Sequence, residues 1–214
     1  MKTMFYEIMH RESCVAQLST VGECKIYLED FMPYDLMLEE SNDFDKRIKN
    51  AMSFYSWCAS RMIPPDRTYA KEILNSIGAS QSVTDRDRAQ IALSYHCLSL
   101  LDVFWVKEKN EMVRFEEINL YTHSLSNALV DIALRGHQMT VTNAHLLAND
   151  LSTGGLYPKA WVRKEDGFYL YKDGGKDAVE REVLSSKVCR CFDCHQVLYE
   201  QGIFETSRYP SAKS

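Results

Sequence analysis

The chain has no run of about 18 consecutive apolar residues, so no segment reads as a membrane span. Its first residues, M-K-T-M-F-Y-E-I-M-H-R-E, lack the apolar core and small-residue cleavage site of a secretory signal, which makes a cytoplasmic protein the expectation. An excess of basic charge is missing too. With 25 Lys and Arg against 30 Asp and Glu the net charge is −5, and the bulk electrostatics do not draw the chain to nucleic acid. No internal repeat and no low-complexity tract is visible. No G-K-[ST] follows its glycine pairs, which excludes a Walker loop, and the full G-x-G-x-x-G of ordinary kinases is absent.

Cysteine is present in an odd number, seven, in a chain of 214 residues. That argues against a disulfide scaffold and for reduced, mostly buried thiols. Cys189, Cys191, Cys194 and His195 are spaced C-x-C-x-x-C-H. No second cluster completes a closed zinc site, and at a helix end Cys189 and Cys191 point in widely different directions. No metal site is assigned.

What is there is an ordinary apolar and charged balance, 45% and 26%, enough for one large domain or two small ones. Residues 5–10, 14–19 and 24–28 read as the strands of a small meander. Asn42 or Asp43 caps a helix in which Phe44, Ile48, Met52, Tyr55 and Ala59 recur at helical steps and form its expected buried face. Pro64-Pro65 ends it. A second helix is expected over 67–76, and a third from Thr84 through Leu98 with Asp85 and Asp87 in its first turn. Leu101 to Val106 is β-like, and Ser124 opens a short helix that closes at Gly136. His96 reads as a core histidine. Arg61, Arg67, Arg86 and Arg88 could form a DNA-facing set, but the interleaved Asp66, Asp85 and Asp87 favour a solvated face with paired charges.

The texture then changes, with a boundary between 138 and 139. Ala160–Arg163 and Phe168–Lys172 form a hairpin around Glu165-Asp166-Gly167. A helix follows over 177–193, then a short strand over Val197–Glu200 and a last one near Ala212. Three parts thus stand in order: a glycine loop, Ser152-Thr153-Gly154-Gly155; a strand ending in Lys172; and a helix carrying Glu180 and Glu182. Glycines let backbone N–H groups approach phosphate oxygens, and a strand lysine held by a helix carboxylate contacts phosphates in a kinase. Glu182 is the favoured carboxylate because its side lies beside the stripe of Val179 and Ser186. Taken singly, each part has a plainer account: a snorkelling strand lysine, glutamates facing water, an ordinary turn. Their order and spacing carry the weight.

Ser152-x-x-Gly155-x-x-Pro158-Lys159, followed by the lysine strand and the glutamate helix, resembles HipA-like serine/threonine protein kinases. Trp57-Cys-Ala-Ser-Arg61, Ser99-Leu-Leu-Asp102-Val-Phe-Trp105 and Phe115-Glu-Glu-Ile-Asn119 are similar to its Firmicutes-type branch. The resemblance implies an α+β protein with two parts: a β-meander with helices over 1–138, and a kinase-like N-lobe, an antiparallel sheet plus one helix, over 139–214. It implies ATP as cofactor, gripped by Ser152 to Gly155, Lys172 and Glu182, with Ser152 as the regulatory phosphorylation candidate. The family's C-lobe, with its catalytic aspartate and magnesium ligands, has no counterpart in this sequence. His137 and Asn143 precede Lys172, the wrong order for a catalytic loop. The expectation is therefore an N-terminal, ATP-gripping portion, inactive alone, with magnesium entering only when a C-lobe is supplied. Expected partners are a C-lobe or antitoxin-like protein, or a second copy across an exposed apolar face. The alternative is a non-catalytic interaction module with a vestigial nucleotide site.

Overall fold

The computed structural model describes residues 3–64, 66, 84–123, 159–172, 175–192, 195–204 and 207–213. It is a mixed α+β protein whose described residues fall in two compact units, one holding 3–64 and 84–123, the other Asp66 and the described residues from 159 on. The division lies at Gly154/Gly155; that position and the expected 138/139 boundary are both outside the described residues, as are the helices expected over 67–76 and 124–136.

In the first unit β1 (Phe5–His10), β2 (Ser13–Ser19), β3 (Cys24–Ile26) and β4 (Phe104–Glu108) form an antiparallel sheet in the order β3-β2-β1-β4. The β1–β2 hairpin turns through Arg11 at φ 51°, and its register slips at Ile8/Met9, a bulge. Burial does not alternate along these strands: the neighbours Ile8 and Met9, Val15 and Ala16, and Trp105 and Val106 are all buried. Leu28 lies beyond β3, where a single 3-10 turn over Glu29–Phe31 begins.

Helix α1 (Phe44–Ser60) starts where Asp43 accepts a hydrogen bond from the Lys46 N–H at 3.0 Å. The expected buried face packs only at its C-terminal end, where Ala59 is buried and Tyr55 half-buried. Phe44, Ile48 and Met52 are exposed, and the inward stripe is Asn50, Phe54, Trp57, Cys58 and, just past the end, Arg61. Two polar residues can sit inward because each is fully engaged. Asn50 donates to the carbonyls of Glu39 (2.8 Å) and Gly22 (3.1 Å) and accepts from the Glu39 N–H (2.9 Å).

Helix α2 (Asp85–Ser94), capped by Thr84, packs its Ala89 and Ala92 side inward and lies against α1. The expected run to Leu98 does not occur. His96 and Cys97 take left-handed φ values of 59° and 53°, and the His96 carbonyl accepts from the Val106 N–H, which delivers the chain into β4. A one-turn helix, α3 (Phe115–Ile118), follows.

In the second unit β5 (Lys159–Lys164) and β6 (Gly167–Lys172) form the hairpin around Glu165 and Asp166. Gly167 at φ 145° supplies a conformation other residues rarely adopt. Helix α4 (Lys176–Cys189) comes next, then β7 (Leu198–Phe204) and β8 (Ser207–Lys213). The sheet is antiparallel with β8 inserted between β6 and β7. Both last strands are longer than expected. Pro210 is accommodated because the β6–β8 ladder covers only Ser211–Lys213 and leaves Pro210 beyond it.

Candidate functional site

Strand β6 carries Lys172 at its end, directly opposite Lys159 of β5, so two lysines occupy the same face at one end of the hairpin. On α4, Val179, Glu182 and Ser186 stand at i, i+3 and i+7, and Val179 and Ser186 are buried. That places Glu182 on the packed stripe, and its carboxylate meets Lys172 Nζ at 3.2 Å (Oε2) and 3.4 Å (Oε1). Glu180 lies off the stripe, exposed, 3.8 Å from Lys176.

A third group completes the cluster. Lys172 Nζ donates to the Tyr199 hydroxyl at 2.7 Å and stands 4.4 Å from the centroid of the same ring. Tyr199 is positioned on β7, where its backbone N–H donates to Ser186 Oγ at 3.0 Å, so the helix that supplies Glu182 also fixes the strand that supplies Tyr199. Burial works against the charge of Lys172, but the hydrogen bonds and charges of Tyr199 and Glu182 outweigh it and raise its pKa above the ordinary lysine value. The ammonium is held charged and pointed.

The structure thus brings together Lys172 and Glu182. Ser152, Thr153, Gly154 and Gly155 lie outside the described residues. Tyr199 escaped the sequence reading, in which it is one residue of a short strand. Only the pairing of β7 with α4, a non-local contact, gives it a role. A cavity of about 510 Å³ runs along α4 and the start of β7, with Glu182, Ser186 and Tyr199 in its wall; Lys172 does not line it. Cys189 and Cys191 are exposed, and Cys194 lies outside the described residues.

Two of the four arginines in the DNA reading are engaged inside the first unit. Arg61 is buried, forms a bidentate pair with Asp102 at 2.7 and 2.9 Å, and donates also to the carbonyls of Cys97 and Phe104. Arg88 bonds Asp85 and the Ala59 carbonyl. Arg67 is outside the described residues. His96 Nδ1 lies 3.0 Å from the Val106 carbonyl, a satisfied position beside the core.

Fold and site together define an antiparallel sheet whose strand lysine is tethered by a helix glutamate and a neighbouring tyrosine. No protein-family model matches the chain, and no curated protein or solved structure matches it.

Proposed function

We propose that the second unit is the nucleotide-gripping part of a HipA-like serine/threonine kinase. The observation that carries this is the Lys172–Glu182 pair at 3.2 Å, made by a strand lysine and the helix that follows it in the chain. In protein kinases a strand lysine contacts the nucleotide phosphates and a helix glutamate holds it. The donor set suits ATP: the Lys172 ammonium, with Lys159 across the strand pair, would offer positive charge to a triphosphate, and Glu182 holds Lys172 in place. Bound ATP supplies the phosphoryl group. Magnesium and the catalytic aspartate would come from a C-lobe; the residues of the second unit would supply the grip on the nucleotide. Ser152 to Gly155 cover the phosphates in this reading, and Ser152 is the regulatory phosphorylation candidate.

The test is calorimetric titration of ATP into the protein. Binding is expected, Lys172→Ala weakening it by about tenfold or more, since a charge-assisted contact to phosphate contributes about 1.5–3 kcal/mol. Tyr199→Phe keeps the ring but releases one ammonium proton for a phosphate oxygen, and should leave affinity equal or higher. No heat with the unmodified protein, or unchanged affinity for Lys172→Ala, leaves the second reading: an interaction module with a vestigial nucleotide site. That reading is favoured by the exposed apolar surface of the first unit.

A further inference from the structure

The segment from Tyr27 to Met37, between β3 and α1, exposes apolar side chains that a monomer ordinarily covers: Phe31 is 52%, Met37 76% and Tyr34 94% exposed. Every charged residue in it is acidic: Glu29, Asp30 and Asp35. None of the three forms an ion pair among the described residues. Beside it lies a cavity of about 430 Å³, with Tyr34 and Asp35 on one side and Trp57, Asp102 and Phe104 on the other. The charge of Asp102 is matched by Arg61, whose guanidinium covers the Trp57 ring at 4.9 Å. Among the described residues no cation pairs with Asp35. The cavity therefore presents a net negative charge among aromatic rings.

We propose that this strip is a docking site for a basic, apolar peptide segment of a partner protein, with one arginine or lysine side chain seated in the cavity against Asp35. The chemistry selects that occupant. A cation gains from ring faces and from a carboxylate at once, and arginine gains most because its planar group both stacks and forms paired hydrogen bonds. Exposed Phe31 and Met37 give the flanking apolar residues somewhere to bury, as aromatic anchors do at interface centres. Lys25 lies over the Tyr27 ring and Lys46 and Lys49 stand near Glu29 and Met37, so the selection is made at the cavity itself, where Asp35 beside the Arg61–Asp102 pair leaves no excess positive charge to draw a phosphate or an anionic lipid. A second copy docking by two-fold symmetry would bring acidic strip against acidic strip. The site is confined to the first unit and stands independently of the nucleotide reading.

The probe is a short fluorescein-labelled peptide of alternating arginine and leucine, titrated with the protein and followed by anisotropy, with a glutamate-for-arginine peptide as control. The arginine peptide should bind and the glutamate peptide should not. Asp35→Asn and Tyr34→Ala should each weaken binding about tenfold, in the range of interface anchors. Tyr34 is too exposed for its removal to unfold the protein. Asp45→Asn and Met112→Ala, exposed residues of the same kinds outside the strip, should leave binding unchanged. Backbone amide shifts should cluster at 34–35 and 99–104. Equal binding of the two peptides overturns the proposal, as does affinity within twofold of the unmodified protein for both strip variants. Self-association that Tyr34→Ala abolishes also overturns it, by assigning the strip to a second copy.

Discussion

Arg61 shows how one residue can organise a unit. Its guanidinium donates to both oxygens of Asp102 and to two backbone carbonyls, and the Arg61 carbonyl accepts from the buried Tyr95 hydroxyl at 2.8 Å. Burial opposes the charge, and the hydrogen bonds and charge of Asp102 outweigh it. Removing one partner of such a pair is costly because the other charge stays inside. Asp102→Asn should destabilise the first unit by about 2–3 kcal/mol, less than the roughly 3–5 kcal/mol of a fully buried pair, because the Asp102 side chain is 34% exposed and water screens it. Urea denaturation measures this. A loss below about 1 kcal/mol, the value of an exposed pair, would show that Arg61 is held by its carbonyls alone. In the sequence Arg61 stands among several basic residues near a proline pair and in a stretch of family-like texture, neither of which pairs it with Asp102. Nothing local marks it as buried, because its acceptors lie some forty residues on, at Asp102 and Phe104.

Elements were legible where their cause is local. Asp43 as a cap, the Glu165-Asp166-Gly167 turn, and Glu182 between Val179 and Ser186 all follow from short-range geometry, and the structure has each of them. The face of α1 was legible only at its end, where Ala59 is buried as expected; over the first turns two stripes compete and the all-apolar one lost. Phe44–Ile48–Met52 faces out, and the stripe through polar Asn50 faces in, because Asn50 meets backbone groups of Gly22 and Glu39 that no sequence pattern places beside it. That junction gives a prediction at the scale of packed elements. Gly22 has φ 82°, and a Cβ there would stand 1.8 Å from the Arg47 carbonyl oxygen on α1. Gly22→Ala cannot relax by a side-chain rotation, since the obstacle is helix backbone. It should cost at least about 2 kcal/mol and push α1 from the β2–β3 turn. Thermal denaturation checks the loss. A melting point within a degree or two of the unmodified protein would mean that the turn is free to move away.

At the scale of the whole molecule, the order of the described elements could be read but the order of strands in the second sheet could not. The insertion of β8 between β6 and β7 is a non-local pairing, and with it comes the placement of Tyr199 beside Lys172. Two units then bring two separate alkaline weaknesses. In the first, Tyr6 stacks on Phe54 at 5.4 Å, and burial, aided by Tyr55 and Glu108, pushes its phenol up to about 12. In the second, the pKa of Lys172 is raised above the lysine value by Tyr199 and Glu182 against the effect of burial. Both groups bind their proton more tightly folded than unfolded. Their contributions are therefore complete below the unfolded pKa values, about 10 for each, and are lost as pH climbs through the folded ones. Urea midpoints at neutral pH and near pH 11 should fall for the unmodified protein. Tyr6→Phe, which cannot ionise, should shrink the fall seen by probes in the first unit, and Lys172→Met should shrink it for probes in the second. If each substitution flattens the pH dependence of neither unit, alkaline loss arises from general charge repulsion and not from these two buried protons.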